Sequence, residues 1–226
     1  MLRAVIFDFD GVITDSEILH LRAFNQVLAK HDIEIATEDY YKDYLGFNDL
    51  DCFKMLVDTG RLRLDEEQIQ KLIQQKNEIF KGLAKTEATI IEGVHDFLDM
   101  LRQNEIPMAI CSGAVLEEIE LILQQANLGA HFEVIVSGEQ VKKGKPSPEG
   151  FLLALHRLNK NSEEPILPSQ CVVIEDSHWG LEAGNAAGMH TVGITNTYEV
   201  GQLGMAEKNI GRLSELGISD LQELCA

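Results

Sequence analysis

Basic residues are scarce in this 226-residue chain: 19 Lys and Arg stand against 37 Asp and Glu, a formal net charge of −18. That deficit argues against a nucleic-acid partner, because neutralising a phosphate backbone needs clustered cations. It also disfavours an anionic membrane surface. A small anion remains admissible, provided a local positive site draws it in against the field of the whole protein. Long apolar runs are missing too, and none reaches the roughly 20 residues of a membrane-spanning helix. Cysteine is limited to Cys52, Cys111, Cys171 and Cys225, with no C-x-x-C spacing. These read as reduced, structural thiols. The N-terminus lacks the pattern of a signal peptide, so the expected location is the cytoplasm. Repeats and low-complexity tracts are absent.

What is present is ordinary globular composition, 45% hydrophobic and 25% charged, with length for one good core or one core plus a small second domain. Short apolar runs predict buried parallel strands at Ala4–Phe7, Met108–Cys111, Val134–Val136, Cys171–Ile174 and Thr191–Ile194. Helix-period segments fill most of the gaps: Val94, Phe97, Leu98 and Leu101; Leu116, Ile119, Ile122 and Leu123; Phe151, Leu152, Leu155 and Leu158, the last with Ser147 as N-cap and Pro148 at the first helical position. Alternation of this kind predicts a doubly wound, Rossmann-like α/β sheet. Between about Asp15 and Thr89 no strand-like run occurs. Ile18, Leu21, Phe24 and Leu28 fit one helix. Leu50, Phe53, Leu56 and Val57 fit a second, ended by Gly60. Ile69, Leu72, Ile73, Lys76, Ile79 and Phe80 fit a third, opened by Asp65 with Gln68 in the capping-box position. The predicted organisation is an α/β core of residues 1–14 and 90–226 with an all-helical cap, 15–89, inserted over the carboxyl edge of the sheet.

Chemistry-bearing residues fall at the strand ends. Asp8 and Asp10 follow the first strand, one residue apart, with Gly11 permitting a tight turn beneath a ligand. Like charges so close repel unless a cation or proton lies between them. Ser112 and Gly113 end the second strand ahead of a helix, which suits an anion, although Ser-Gly is also common turn chemistry. Lys145 lies between Gly144 and Pro146 before another helix. Glu175 and Asp176 end the fourth strand, and this second acid pair looks like part of a divalent-metal site of hard oxygen ligands.

These four segments, in this order and spacing, resemble the haloacid dehalogenase superfamily over nearly the whole chain, and the helical insertion resembles its C1-type cap. "FDFDGVITDSEILH" is most similar to β-phosphoglucomutase and the related sugar-phosphate phosphatases. The resemblance implies that Asp8 is a nucleophile forming an aspartyl-phosphate and that Asp10 is the general acid and base. It implies that Ser112, Gly113 and Lys145 hold the phosphoryl group. It further implies that Mg²⁺ binds Asp8, the main-chain carbonyl of Asp10, and Asp176, with Glu175 ligating through water or steadying the shell. His20 matches a histidine that the mutases carry on the first cap helix, yet a lone helical histidine is more often a packing or surface residue. Thr14 and Asp15 lie where a hinge belongs, and Asp15 suits a helix N-cap as well. His178 and Trp179 are expected to pack against the next helix.

In one place the chain departs from the mutases. Their cap loop carries a lysine just before a glycine and an arginine shortly after it, to grip a second phosphate. Here "YLGFNDLD" puts Leu45 before Gly46, and Asn48 and Asp49 after it. A bisphosphate beside Asp49 would meet repulsion. The expected function is therefore a Mg²⁺-dependent phosphatase of small phosphorylated metabolites, sugar or polyol phosphates, acting as a monomer, with Gly46, Phe47 and Asn48 touching the leaving group. The alternatives are a phosphomutase with another second-phosphate grip and a non-catalytic binding or regulatory protein on the same fold.

Overall fold

The computed structural model describes residues 1–45 and 47–226; Gly46 lies outside the described residues. The chain forms two compact units, Met1–Asp15 with Thr89–Ala226, and Ser16–Ala88. Its strands are β1 Ala4–Phe7, β2 Thr14–Asp15, β3 Thr89–Ile90, β4 Met108–Cys111, β5 Val134–Val136, β6 Cys171–Glu175, β7 His190–Ile194 and β8 Lys208–Ile210.

In the helical unit, α1 (Glu17–Leu28), α3 (Asp49–Asp58) and α4 (Glu66–Glu87) bury one another's apolar faces, while the short α2 (Thr37–Asp39) between α1 and α3 buries no residue of its own. Leu21, Phe24, Val27 and Leu28 of α1 join Phe53 and Leu56 of α3 and Ile69 and Leu72 of α4. Phe24 and Phe53 meet edge to face with centroids 5.2 Å apart, and truncating either to alanine would cost about 3–5 kcal/mol. Ile18, expected on this face, is instead exposed. The capping box at Asp65 and Gln68 forms as the sequence predicts, the Asp65 carboxylate accepting from the Gln68 N–H at 2.9 Å and the Gln68 side chain from the Asp65 N–H at 3.0 Å. After α2 the chain makes a π-helical turn, Tyr40–Tyr44, closed by the Leu45 N–H donating to the Tyr40 carbonyl at 3.0 Å.

In the other unit the helices are α5 (Val94–Gln103), α6 (Leu116–Gln125), α7 (Glu149–Leu158), α8 (His178–Ala186) and α9 (Ile218–Leu224). The sheet is entirely parallel, in the order β5-β4-β1-β6-β7-β8. Helices cover both faces, so β1 alternates without exposing either side. Ala4 and Ile6 join Phe151 and Ala154 of α7 and Ala183 of α8 in one cluster. Phe7 points the other way, 6.0 Å from Phe97 of α5 and 5.9 Å from Phe132, ring centroid to centroid. All four cysteines are buried and free.

The strand order reverses about β1. β4 and β5 lie on one side and β6, β7 and β8 on the other, so the β1–β6 junction is the switch point, where such sheets open a crevice at their carboxyl ends. Two expectations shift. Asp15, which suits a helix cap by sequence, belongs to β2, which pairs antiparallel with β3, Thr14 opposite Ile90 and Asp15 opposite Thr89. Ser16 takes the N-cap position of α1 instead. Ser147 stands one residue before the N-cap of α7, which is Pro148, and its hydroxyl accepts from the Glu149 N–H at 3.3 Å.

Candidate active site

Asp8 follows β1 directly, and its N–H donates to the Ile174 carbonyl of β6 at 2.9 Å, which fixes it at the switch point. The loop behind it closes on itself. The Gly11 N–H donates to the Thr14 carbonyl at 2.8 Å, and the Ile13 and Thr14 N–H groups both reach the Phe9 carbonyl. Gly11 has φ +78°, and a Cβ there would lie 1.9 Å from Asp176 Oδ2. Any side chain at this position would both strain the turn and displace that carboxylate. Asn196 donates to the Gly11 carbonyl at 2.8 Å and so pins the turn from the loop after β7.

Lys145 reaches this place from the loop before α7. Its Nζ donates to Asp8 Oδ1 and to Glu175 Oε1, each at 2.5 Å, and lies 5.2 Å from the Phe151 ring centroid. Glu175 has no exposed surface. Its other oxygen, Oε2, accepts from the Ser177 N–H at 2.9 Å and the Ser177 hydroxyl at 2.8 Å. Both Glu175 oxygens are thus engaged. Ser177 Oγ in turn accepts from the Gly180 N–H at 3.1 Å and caps α8.

Asp8, Glu175 and Asp176 each offer an oxygen within 4.8 Å of the others. Three buried carboxylates against one ammonium leave two negative charges. Burial pushes the Asp8 carboxyl up to about 7, with Glu175 and Asp10 adding to the rise and Lys145 opposing it. Burial likewise holds Asp176 well above the carboxylate range, helped by Glu175 and Asp8 and opposed by a hydrogen bond with Thr197. For Lys145 burial works against the charge, but Asp8 and Glu175 outweigh it and keep the ammonium above the ordinary lysine range. A hard divalent cation fits this set of oxygens and relieves its excess charge.

Ser112 is buried at the end of β4, next to β1, and its hydroxyl accepts from the Ala114 N–H at 3.0 Å. The helix after Gly113 begins at Leu116, where the apolar periodicity puts it, and the Leu116 N–H donates to Glu139 at 3.1 Å. Asp10 stands in a bridge with Thr14, half-buried. Trp179, expected to pack, is 46% exposed, and the His178 ring meets both it and Tyr198.

The remaining candidates lie in the helical unit. The His20 ring stacks on Phe80 with centroids 4.0 Å apart. Phe47 is exposed. Asn48 caps α3, its side chain accepting from the Asp51 N–H at 3.0 Å and donating to the Asp51 carboxylate at 2.7 Å. Sequence reading missed Ser177, Asn196 and Thr197. A signal existed for the last two, because "TNT" follows the apolar end of β7 as polar residues follow β1 and β6.

Comparison with known proteins places this geometry. The family model described as haloacid dehalogenase-like hydrolase matches residues 5–194. A phosphorylated carbohydrates phosphatase of Thermotoga maritima is 32% identical over 192 residues, 84% of each chain. A fructose-1-phosphate phosphatase of Escherichia coli is 26% identical, over 84% of this chain and 95% of the relative. The crystal structure of β-phosphoglucomutase from Clostridium difficile superposes with a TM-score of 0.84 at 26% identity, over 100% of this chain and 97% of that one.

Proposed function

Because the chain belongs to the haloacid dehalogenase-like hydrolases and is a phosphatase of that family, we propose that it hydrolyses small sugar or polyol phosphates through a phosphoryl-aspartate on Asp8. The observation that carries this reading is the Asp8–Lys145–Glu175 bridge, with Asp176 beside it.

In the proposed mechanism Asp8 attacks phosphorus while Asp10 protonates the departing alkoxide, which leaves as an alcohol. Asp10, now a carboxylate, then takes a proton from water, which attacks phosphorus and releases Asp8 and inorganic phosphate. Lys145 holds Asp8 in place and offers its remaining N–H donor to a phosphoryl oxygen. Ser112, with the Gly113 loop, supports a second oxygen. Glu175, occupied on both oxygens, orients Lys145 and the Ser177 turn. Asp8, Asp176 and the Asp10 carbonyl would hold Mg²⁺, which when bound neutralises charge on the phosphoryl oxygens.

A panel of phosphorylated metabolites, assayed for phosphate release with Mg²⁺, tests the reading. Asp8→Asn keeps the shape of the side chain and removes its nucleophilicity, so turnover should vanish. Retention of more than about a tenth of wild-type kcat, a barrier change of only about 1.4 kcal/mol, would remove Asp8 from the mechanism.

A further inference from the structure

The loop that ends β4 is fastened by the turn that ends β5. The Ser112 N–H donates to the Val136 carbonyl and the Gly138 N–H to the Ala114 carbonyl, each at 3.0 Å, so the pairing of β4 with β5 runs on past both strands. Glu139 holds the Leu116 N–H at the start of α6. Between these points the two backbones touch. A Cβ at Gly138 would lie 2.3 Å from the Gly113 carbonyl oxygen and 3.0 Å from its carbon. The obstacle is backbone, with no flexible side chain to give way. The φ of Gly138 lies outside the left-handed region, so close approach alone requires a glycine here. A Cβ at Gly113, the glycine that stands out beside Ser112 in the sequence, would meet no heavy atom within 4 Å among the described residues.

The peptide between Gly113 and Ala114 is a single plane. Its carbonyl packs on Gly138, and its N–H, on the opposite edge, donates to Ser112 Oγ at 3.0 Å. A hydroxyl has one O–H donor and two acceptor sites, so an N–H held at Oγ turns the Ser112 proton away from Ala114. Among the described residues no oxygen takes that proton. Ser112 is buried at the end of β4, the strand beside β1, and β1 runs into Asp8. An anion oxygen at that place completes the hydrogen bonding of the hydroxyl. The plainer reading is that Gly138 only lets two loops pack. Packing alone, however, would give a substitution at Gly138 the same effect whether or not Ser112 kept its hydroxyl.

We infer that Gly138 is a positioning residue that aims the Ser112 hydroxyl by fixing the tilt of the Gly113–Ala114 peptide. The inference rests on the phosphatase reading above, in which Ser112 supports a phosphoryl oxygen. A methyl group at Gly138 must push the Gly113 carbonyl aside. The plane then turns, the Ala114 N–H leaves Ser112 Oγ, and the hydroxyl proton loses its fixed direction.

The experiment is a double-mutant cycle on hydrolysis of p-nitrophenyl phosphate with Mg²⁺. Gly138→Ala in the otherwise wild-type protein should lower kcat/KM at least about tenfold, within the range of a lost donor. In the Ser112→Ala background, where no hydroxyl remains to aim, the same substitution should cost at most about threefold. A smaller loss in the first case, or a larger one in the second, overturns the inference. Should Gly138→Ala fail to fold, amide hydrogen exchange of the wild-type protein decides. Slow exchange at both Ala114 and Gly138 supports the fastening as described, and an Ala114 N–H that exchanges as fast as an unprotected amide overturns it. Wild-type turnover separates the two readings. Its absence refutes the phosphatase, whereas its presence with losses that multiply independently refutes only the role of Gly138.

Discussion

One ammonium, that of Lys145, bridges the ends of two strands, 2.5 Å from Asp8 Oδ1 at the end of β1 and 2.5 Å from Glu175 Oε1 at the end of β6. Removing it leaves two buried carboxylates facing each other across the switch point. Lys145→Ala should lower kcat/KM at least about a hundredfold, the scale of losing one preorganised donor. It should also destabilise the protein at neutral pH by up to about 3 kcal/mol, the low end for breaking a buried pair, since the side chain is 17% exposed. Lys145→Arg keeps the charge without the point geometry and should restore stability more than turnover. Phosphate release and urea denaturation read the two effects separately, and wild-type turnover in Lys145→Ala would exclude the bridge from catalysis.

The same excess of carboxylates fixes how the metal-free protein responds to pH. The Asp8 pKa rises from an ordinary carboxylate value to about 7 on folding. Between those values the folded state keeps a proton that the unfolded state has lost. Stability therefore falls as pH rises through that window and levels off above it. Asp176 acts in the same direction. A divalent cation competes with these protons, so Mg²⁺ should flatten the slope and bind more tightly at about pH 8 than at about pH 5. Melting temperatures across that range, with Mg²⁺ and with EDTA, test this. EDTA should also abolish phosphate release, and Asp176→Ala should raise the Mg²⁺ requirement. A pH slope indifferent to Mg²⁺ would mean that the carboxylates do not share a cation.

Glu175 has its place because Gly180 has no side chain. A Cβ at Gly180 would lie 1.6 Å from Glu175 Oε1. Gly180 sits within α8, where alanine is otherwise favoured by up to about 1 kcal/mol. Gly180→Ala should nonetheless destabilise by about 1–3 kcal/mol, because overpacking must push Glu175 off Lys145 and Ser177. Turnover should fall at least tenfold through the displaced Lys145. A variant as stable and as active as wild type would show that Glu175 moves aside without consequence.

Much of this was legible in the sequence, because parallel strands buried on both faces are near-continuous apolar runs. "AVIF", "MAIC" and "CVVI" announce β1, β4 and β6, and the polar residues that stop each run are those the sheet gathers at one edge. β8, with "KNI", carries one buried apolar residue and no periodicity, so only its pairing with β7 reveals it. β2 and β3 are two residues each and exist through the pairing of distant segments, supported by the Thr14 hydroxyl donating to the Thr89 carbonyl at 2.9 Å. Lys76 was visible as a lysine within an apolar stripe. Its partners were not, since 27 residues separate it from Asp49 and 56 from His20. Nor could the sequence show that Glu175 uses both oxygens on protein groups, which depends on where Lys145 and Ser177 fold.

The remaining question is the fate of the phosphoryl group on Asp8. A mutase must keep it from water and hand it to a second sugar hydroxyl, which requires holding a bisphosphate in two orientations with cations at both ends. Lys145 serves the end near Asp8. In the loop where mutases place their second grip, this chain has Leu45, Asn48 and Asp49. Asn48 is committed to capping α3, and Asp49 to Lys76. Lys42 and Lys54 lie on either side of that loop, Lys42 within the π-helical turn and Lys54 within α3. β-Glucose 1-phosphate, if accepted, should therefore yield glucose and free phosphate, and glucose 1,6-bisphosphate should not stimulate isomerisation. Phosphate measured by colorimetry and glucose 6-phosphate measured by a coupled dehydrogenase, in the same reaction, test this. Glucose 6-phosphate in large excess over phosphate would make the protein a mutase and assign the second grip to Lys42, Lys54 or a Lys76 released from Asp49.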